Sequence, residues 1–158
     1  MPHRRCGSPG RRTVFAIAIA ITAATAQAQS ARMALPTDIL GRWSGTSTCV
    51  KADWNRACND EVVTYWTEPA AGVRDSLMFH AFTKVGDAWE SMGDLMMGYN
   101  PAVRRWEAPF ANARVRILWT FTVSGGRDLA GRLFILPDDR VGRTVVATRA
   151  SVQRPPTD

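Results

Sequence analysis

Residues 41–58 read "GRWSGTSTCVKADWNRAC". Trp43 stands between Gly41 and Gly45, a polar strand-like run leads to Cys49, and Cys58 follows after eight residues. The stretch admits three readings: the opening strand of a ligand-binding barrel, a redox site, or a stapled hairpin. Cysteine arithmetic disposes of the second. Beyond the N-terminal leader, Cys49 and Cys58 are the two cysteines, and a C-x8-C pair fits neither a redox C-x-x-C nor the common zinc spacings. In an exported chain they read as a disulfide across the first loop. Closing that ten-residue loop removes roughly 2.7 kcal/mol of unfolded-state entropy in the chain model.

The first 28 residues point to export. Arg4, Arg5, Arg11 and Arg12 form a positive region, "TVFAIAIAITAATA" is apolar, and Ala26-Gln27-Ala28 supplies a small-x-small cleavage site. The apolar part is short for a membrane span. Cys6 precedes it and leaves with the leader. The twin arginines fit a twin-arginine export signal only loosely, so the general secretory route is the expectation. This gives a signal peptide over 1–28, a flexible segment over 29–38, a single domain over 39–150 and a flexible tail over 151–158. The expected location is periplasmic or secreted, with no stable membrane span after cleavage.

Removing the leader also changes the charge argument. The chain has 20 basic and 14 acidic residues; four basic ones lie in the leader, leaving 16 against 14. Near-balance withdraws the support for a nucleic-acid partner. What remains is asymmetric: residues 29–99 carry six basic and nine acidic residues, residues 100–158 ten arginines and five acidic residues. The arginine-rich half reads as a solvated face, with an anionic envelope surface as the alternative.

Working outward from residue 58, short alternating runs recur between turn signals, and no stretch holds a 3.6-residue period. The runs are "LGRWSGTST", "EVVTYWTE", "SLMFHAFTKV", "ESMGDLMMGY", "RRWEAPF", "ARVRILWTFTV", "DLAGRLFIL" and "GRTVVATRA". Glu68-Pro69, Gly86-Asp87, Asn100-Pro101, Ala111-Asn112, Ser124-Gly125-Gly126 and Pro137-Asp138-Asp139 reverse the chain between them. The sixth run is the clearest. Val115, Ile117, Trp119, Phe121 and Val123 share one face against Arg114, Arg116, Thr120 and Thr122 on the other. Eight strands on short connections make a meander, and a meander removes its edges by closing. The expected fold is all-β, a closed eight-stranded up-and-down antiparallel barrel, with a β-sandwich as the alternative.

Gly41-x-Trp43 resembles the Gly-x-Trp signature of the lipocalin-like (calycin) barrels. The resemblance implies that Trp43 plugs one barrel end under an arginine of the last strand, and Arg149 is the matching position. A guanidinium over an indole contributes roughly 0.5 to 2 kcal/mol. The segments "GRWSGTSTCV", "ACNDEVVTYW", "MGDLMMGYNPA", "ANARVRILWTFTV" and "LAGRLFILPDDRVGRTVVATR" resemble a family of small exported bacterial proteins without an assigned activity. It runs from Leu40 to Arg149 and brings no catalytic residues.

Catalytic chemistry finds little footing. His80 is the one histidine after the leader, no G-x-S-x-G elbow accompanies a serine, and no metal-ligand spacing surrounds it. It reads as a surface or rim residue. Asp60-Glu61 point to opposite faces, and Asp138-Asp139 sit in a turn. Asp94 lies between Met92 and Met96; facing inward it needs an arginine partner, facing outward it is ordinary. No phosphate loop, calcium loop or glycosylation sequon is present. The expectation is a protein that is not an enzyme, with no metal and no cofactor.

Aromatic and methionine residues are better represented. Six tryptophans are joined by Met78, Met92, Met96 and Met97, residue types that line adaptable apolar sites. An interior pocket is expected between Leu77, Phe79, Met92, Met96 and Trp119, for a small apolar ligand. Trp54, inside the disulfide loop, is the expected loop contact, either free for a partner or folded back on the rim. Three functions compete: a carrier of a small apolar molecule, a module binding an envelope protein such as an enzyme to be inhibited, and a fully packed accessory barrel.

Overall fold

A computed structural model describes residues 36–50 and 53–151. The expected signal peptide, and the tail beyond Ser151, lie outside the described residues. Eight strands follow in chain order: β1 (Gly41–Cys49), β2 (Glu61–Pro69), β3 (Ser76–Val85), β4 (Ala88–Asn100), β5 (Arg105–Ala111), β6 (Arg116–Ser124), β7 (Asp128–Ile135) and β8 (Arg140–Ser151). Each pairs antiparallel with its successor, and β1 pairs with β8. The sheet therefore closes into one barrel and the sandwich alternative falls. No helix among the described residues is long and apolar enough to cross a membrane.

Most strand ends match the alternation read from the sequence, with one instructive difference. The sixth run was expected from residue 113, yet β6 starts at Arg116. The Asn112 side-chain oxygen accepts from the backbone N–H groups of Arg114 and Val115 at 2.8 and 2.9 Å, holding them in a turn. The N-terminal boundary also moves. Residues 36–38 were expected to be frayed, but Leu40 N–H donates to Thr37 O at 3.1 Å and the Asp38 carbonyl accepts from Arg149. This short segment is tied to the barrel.

It belongs to the closed end. Trp43 is fully buried, its Nε1 donates to Ile39 O at 2.7 Å, and the Arg149 guanidinium lies 4.3 Å from the ring centroid. Nε and Nη1 of Arg149 donate to Gly126 O at 2.8 Å and Leu40 O at 2.6 Å. Ile39, Val63, Leu77, Met97, Trp106 and Leu129 join Trp43 in the core cluster. At the opposite end Cys49 and Cys58 form the disulfide expected from the sequence, with Cα atoms 5.7 Å apart.

Three irregularities bear on the interior. In β4 an extra residue is accommodated between Gly93, opposite Ala81, and Ser91, opposite Phe82; Gly93 has φ +116°, a region that favours glycine. In β8 a register shift at Gly142 separates Arg143, opposite Leu133, from Val141, opposite Phe134. The third is a gap. β4 and β5 pair only from Gly98↔Glu107 to Asn100↔Arg105, while β5 stays paired with β6 as far as Ala111. Continuing the register would set Met96 opposite Pro109, a residue with no N–H to give a ladder.

Candidate functional site

The barrel interior is divided. Its closed half is packed solid, while the half nearer the disulfide holds a cavity of about 300 Å³. Ser47 of β1, Tyr65 of β2, Phe79 and Ala81 of β3, Leu95 of β4, Trp119 and Phe121 of β6 and Arg143 of β8 line it, with Met92, Gly93, Asp94 and Phe110 around the gap. Strand alternation explains most of this set. Tyr65, Phe79, Ala81, Trp119 and Phe121 lie on the inward parity of their strands, and four of them pack ring against ring. Phe79 and Phe121 have centroids 4.4 Å apart, Tyr65 and Phe79 4.7 Å, and Trp119 stacks on Phe121 at 5.6 Å. Such ring pairs add rigidity to the wall as well as buried area.

One side of the cavity is polar. Arg143 is buried on the inward face, where Nε donates to Ser47 Oγ at 3.0 Å. Its Nη2 donates to Glu61 Oε2 and Asn59 O, both at 2.8 Å. The Glu61 carboxylate and the neighbouring oxygens satisfy a guanidinium that burial alone would penalise. Tyr65 joins the group through Ser47. Burial pushes its hydroxyl well above the usual phenol range, partly offset by the Ser47 hydrogen bond and the Arg143 charge, while Glu61 adds to the rise. The cavity thus has aromatic walls and one hydrogen-bonding side. No constellation of a nucleophile with an adjacent base, and no cluster of metal-ligating side chains, occurs among the described residues.

The expected pocket residues separate in the structure. Phe79 and Trp119 line the cavity. Leu77 faces inward too, but in the packed closed half. Met92 stands at the gap, 45% exposed. Met96 does not point inward: it is 54% exposed, and Met97, fully buried opposite Leu77, occupies the interior instead. The expectation put Met92 and Met96 on one inner face. The pairing of β4 with β3 sets Leu95 opposite Phe79 and Met97 opposite Leu77, and the extra residue near Met92 breaks the alternation.

Asp94 consequently takes the outward alternative. Its Oδ1 lies 2.7 Å from His80 Nδ1, while His80 Nε2 lies 3.2 Å from Glu68 Oε1. Glu68 also accepts from Trp66 Nε1 at 2.8 Å. His80 has the outward parity expected of it, but it is buried under these neighbours and is not an open surface residue. Trp54 folds back. It packs on Ile117, Leu133 and Ile135 at the rim, with its Nε1 2.8 Å from where a Cβ on Gly142 would stand. Reasoning from the sequence missed Tyr65, Ser47, Arg143 and Leu95. The first three share inward parity with Trp43, Val63 or Val145, and that alternation was the signal available.

No protein-family model and no curated protein matches the chain. A solved structure that it resembles is that of the siderocalin Ex-FABP, described as functioning through dual ligand specificities. The match covers 75% of this chain and 78% of that one, at 9% identity and a TM-score of 0.42.

Proposed function

We propose that this chain is an exported, non-catalytic carrier that holds a small, largely apolar molecule inside the barrel. The observation that carries the reading is the cavity of about 300 Å³ beneath Tyr65, Phe79, Trp119 and Phe121. That volume stands at the lower end of the range for ligand sites. Aromatic walls suit a fatty-acyl or isoprenoid-like body, and the Ser47–Arg143 side suits one polar group at its end. The Cys49–Cys58 bond and the charged, apolar leader support a periplasmic or secreted location. The cavity weighs against a fully packed accessory barrel, and the folded-back Trp54 weighs against a loop displayed for an envelope protein.

The test uses Trp119 as reporter. An environment-sensitive fatty-acyl probe titrated into delipidated protein is expected to saturate at micromolar concentration with a change in tryptophan emission. Ala81→Phe, which places a ring in the cavity, is expected to weaken binding at least tenfold while the far-ultraviolet circular dichroism stays that of wild type. Absence of saturable binding by a panel of acyl and isoprenoid probes would refute the carrier reading.

A further inference from the structure

We infer that the cavity communicates with solvent through the side of the barrel, between β4 and β5, and not through the barrel end that carries the disulfide. The inference rests on the carrier reading for its biological use, but its geometry stands separately. Three observations converge on it.

The wall is open at that side. β4 has no β5 partner before Gly98, although β5 itself continues from Glu107 to Ala111 along β6. Pro109 and the irregularity at Gly93 are local features of the two strands that keep the ladder from extending. The cavity reaches this opening, because Met92, Gly93 and Phe110 are among its lining residues.

Met92 and Phe110, the two large side chains at the opening, are apolar and exposed, and the Asp94 carboxylate beside them is turned outward to His80. Met92 is 45% and Phe110 46% exposed, so an apolar chain passing between them would stay in contact with apolar surface. In a barrel paired in chain order, β4 and β5 stand across from β8 and β1. A molecule entering here meets the aromatic side chains first and the Ser47–Arg143 side last. A single arm of that volume fits inside, and the remainder of a longer amphiphile would lie across Met92 and Phe110.

The alternative route is obstructed. The loop joining β1 to β2 is stapled by Cys49–Cys58 and lays Trp54 onto Ile117, Leu133 and Ile135. Arg140 Nη1 donates to Asp53 Oδ2 at 3.0 Å and Arg143 Nη2 to Asn59 O at 2.8 Å, so both parts of the loop are held to β8.

The route can be measured without any ligand. Ala81→Cys places a thiol in the cavity, and its modification rate by small methanethiosulfonate reagents reports access. With Phe110→Glu added, the rate ratio of the cationic ethylammonium reagent to the anionic ethylsulfonate reagent is expected to rise at least fivefold. Adding Met92→Trp is expected to slow both reagents at least fivefold, whereas Trp54→Ala is expected to leave both rates within twofold. An unchanged charge ratio in the Phe110→Glu protein, or a tenfold acceleration by Trp54→Ala, would overturn the side route and place access at the barrel end. Phe110→Glu alters an exposed position, so the charge ratio remains readable if the bulkier Met92→Trp protein fails to fold. Probe titration of the wild type decides the carrier reading independently. Side access with no saturable binding would remove the carrier while leaving the route in place.

Discussion

Removing the arginine that closes the barrel gives the sharpest test of how this fold is held. Arg149 donates to the carbonyls of Gly126, Leu40 and Asp38 while covering the Trp43 ring from 4.3 Å. It joins β8, the β6–β7 turn and the segment before β1 at one point. Hydrogen bonds from a charged donor contribute about 1.5 to 3 kcal/mol each when buried, and a cation over an indole about 0.5 to 2 kcal/mol. Arg149 is only part-buried, so solvent replaces some of this on truncation. Arg149→Ala is therefore expected to lower stability by about 3 to 4 kcal/mol, a large share of the total for a domain of this size. Arg149→Lys keeps one charge but not the planar fork, and is expected to lose about half as much. Arg149→Met keeps the stem packing and separates that term from the polar one. Urea unfolding followed by tryptophan emission, with m-values compared across the series, measures all three. A loss below 1 kcal/mol for Arg149→Ala at unchanged m would refute the idea that this residue organises the closed end.

Two further outcomes follow from the interior. Because burial raises the Tyr65 hydroxyl above its unfolded value of about 10, the neutral phenol contributes stability below that pH, and the contribution is lost as pH rises beyond it. Wild type is therefore expected to lose stability above about pH 10, and Tyr65→Phe to show a shallower alkaline slope in urea midpoints; equal slopes would contradict this. Gly45→Ala is expected to destabilise by more than about 2 kcal/mol, since the added Cβ would stand 2.0 Å from Val146 O and 2.5 Å from Ala147 Cα, both backbone atoms. A thermal midpoint within 3 °C of wild type would contradict it.

How much of this was legible beforehand depends on whether a feature is local. Trp43, Arg149 and the Cys49–Cys58 pair were readable because each carries its own chemistry: a Gly-x-Trp motif, a last-strand arginine, two cysteines spaced to staple one loop. Alternation placed Trp119 and Phe121 inside, since β6 runs without interruption. The same rule failed on β4. An extra residue beside Gly93 inverts the parity of what precedes it, and only the pairing with β3 identifies Met97, not Met96, as the inward methionine. Arg143 was hidden for a different reason. A guanidinium reads as a surface group until Glu61, Asn59 and Ser47, more than 80 residues away, are seen to satisfy it. The gap was illegible too, because Pro109 signals a weakened strand without saying which neighbour is lost.

Ala81 is the position at which the carrier reading can be set against packing for stability. Near the closed end the interior takes Trp43, Leu77, Met97, Trp106 and Leu129, all buried. Toward the disulfide end Ile117, Leu133, Ile135 and Trp54 pack as a second cluster, while Ser47 of β1 and Ala81 of β3 are among the residues that line the cavity. A barrel whose interior served stability alone would gain by enlarging Ala81, and the neighbouring aromatic rings would accept the added surface. The Ala81→Phe protein therefore discriminates twice. Under the carrier reading it is expected to become more resistant to urea while losing its probe affinity, the opposed changes expected of a site kept open for function. If it instead lost stability and kept its affinity, the space beneath Phe79 and Phe121 would not be where a ligand sits.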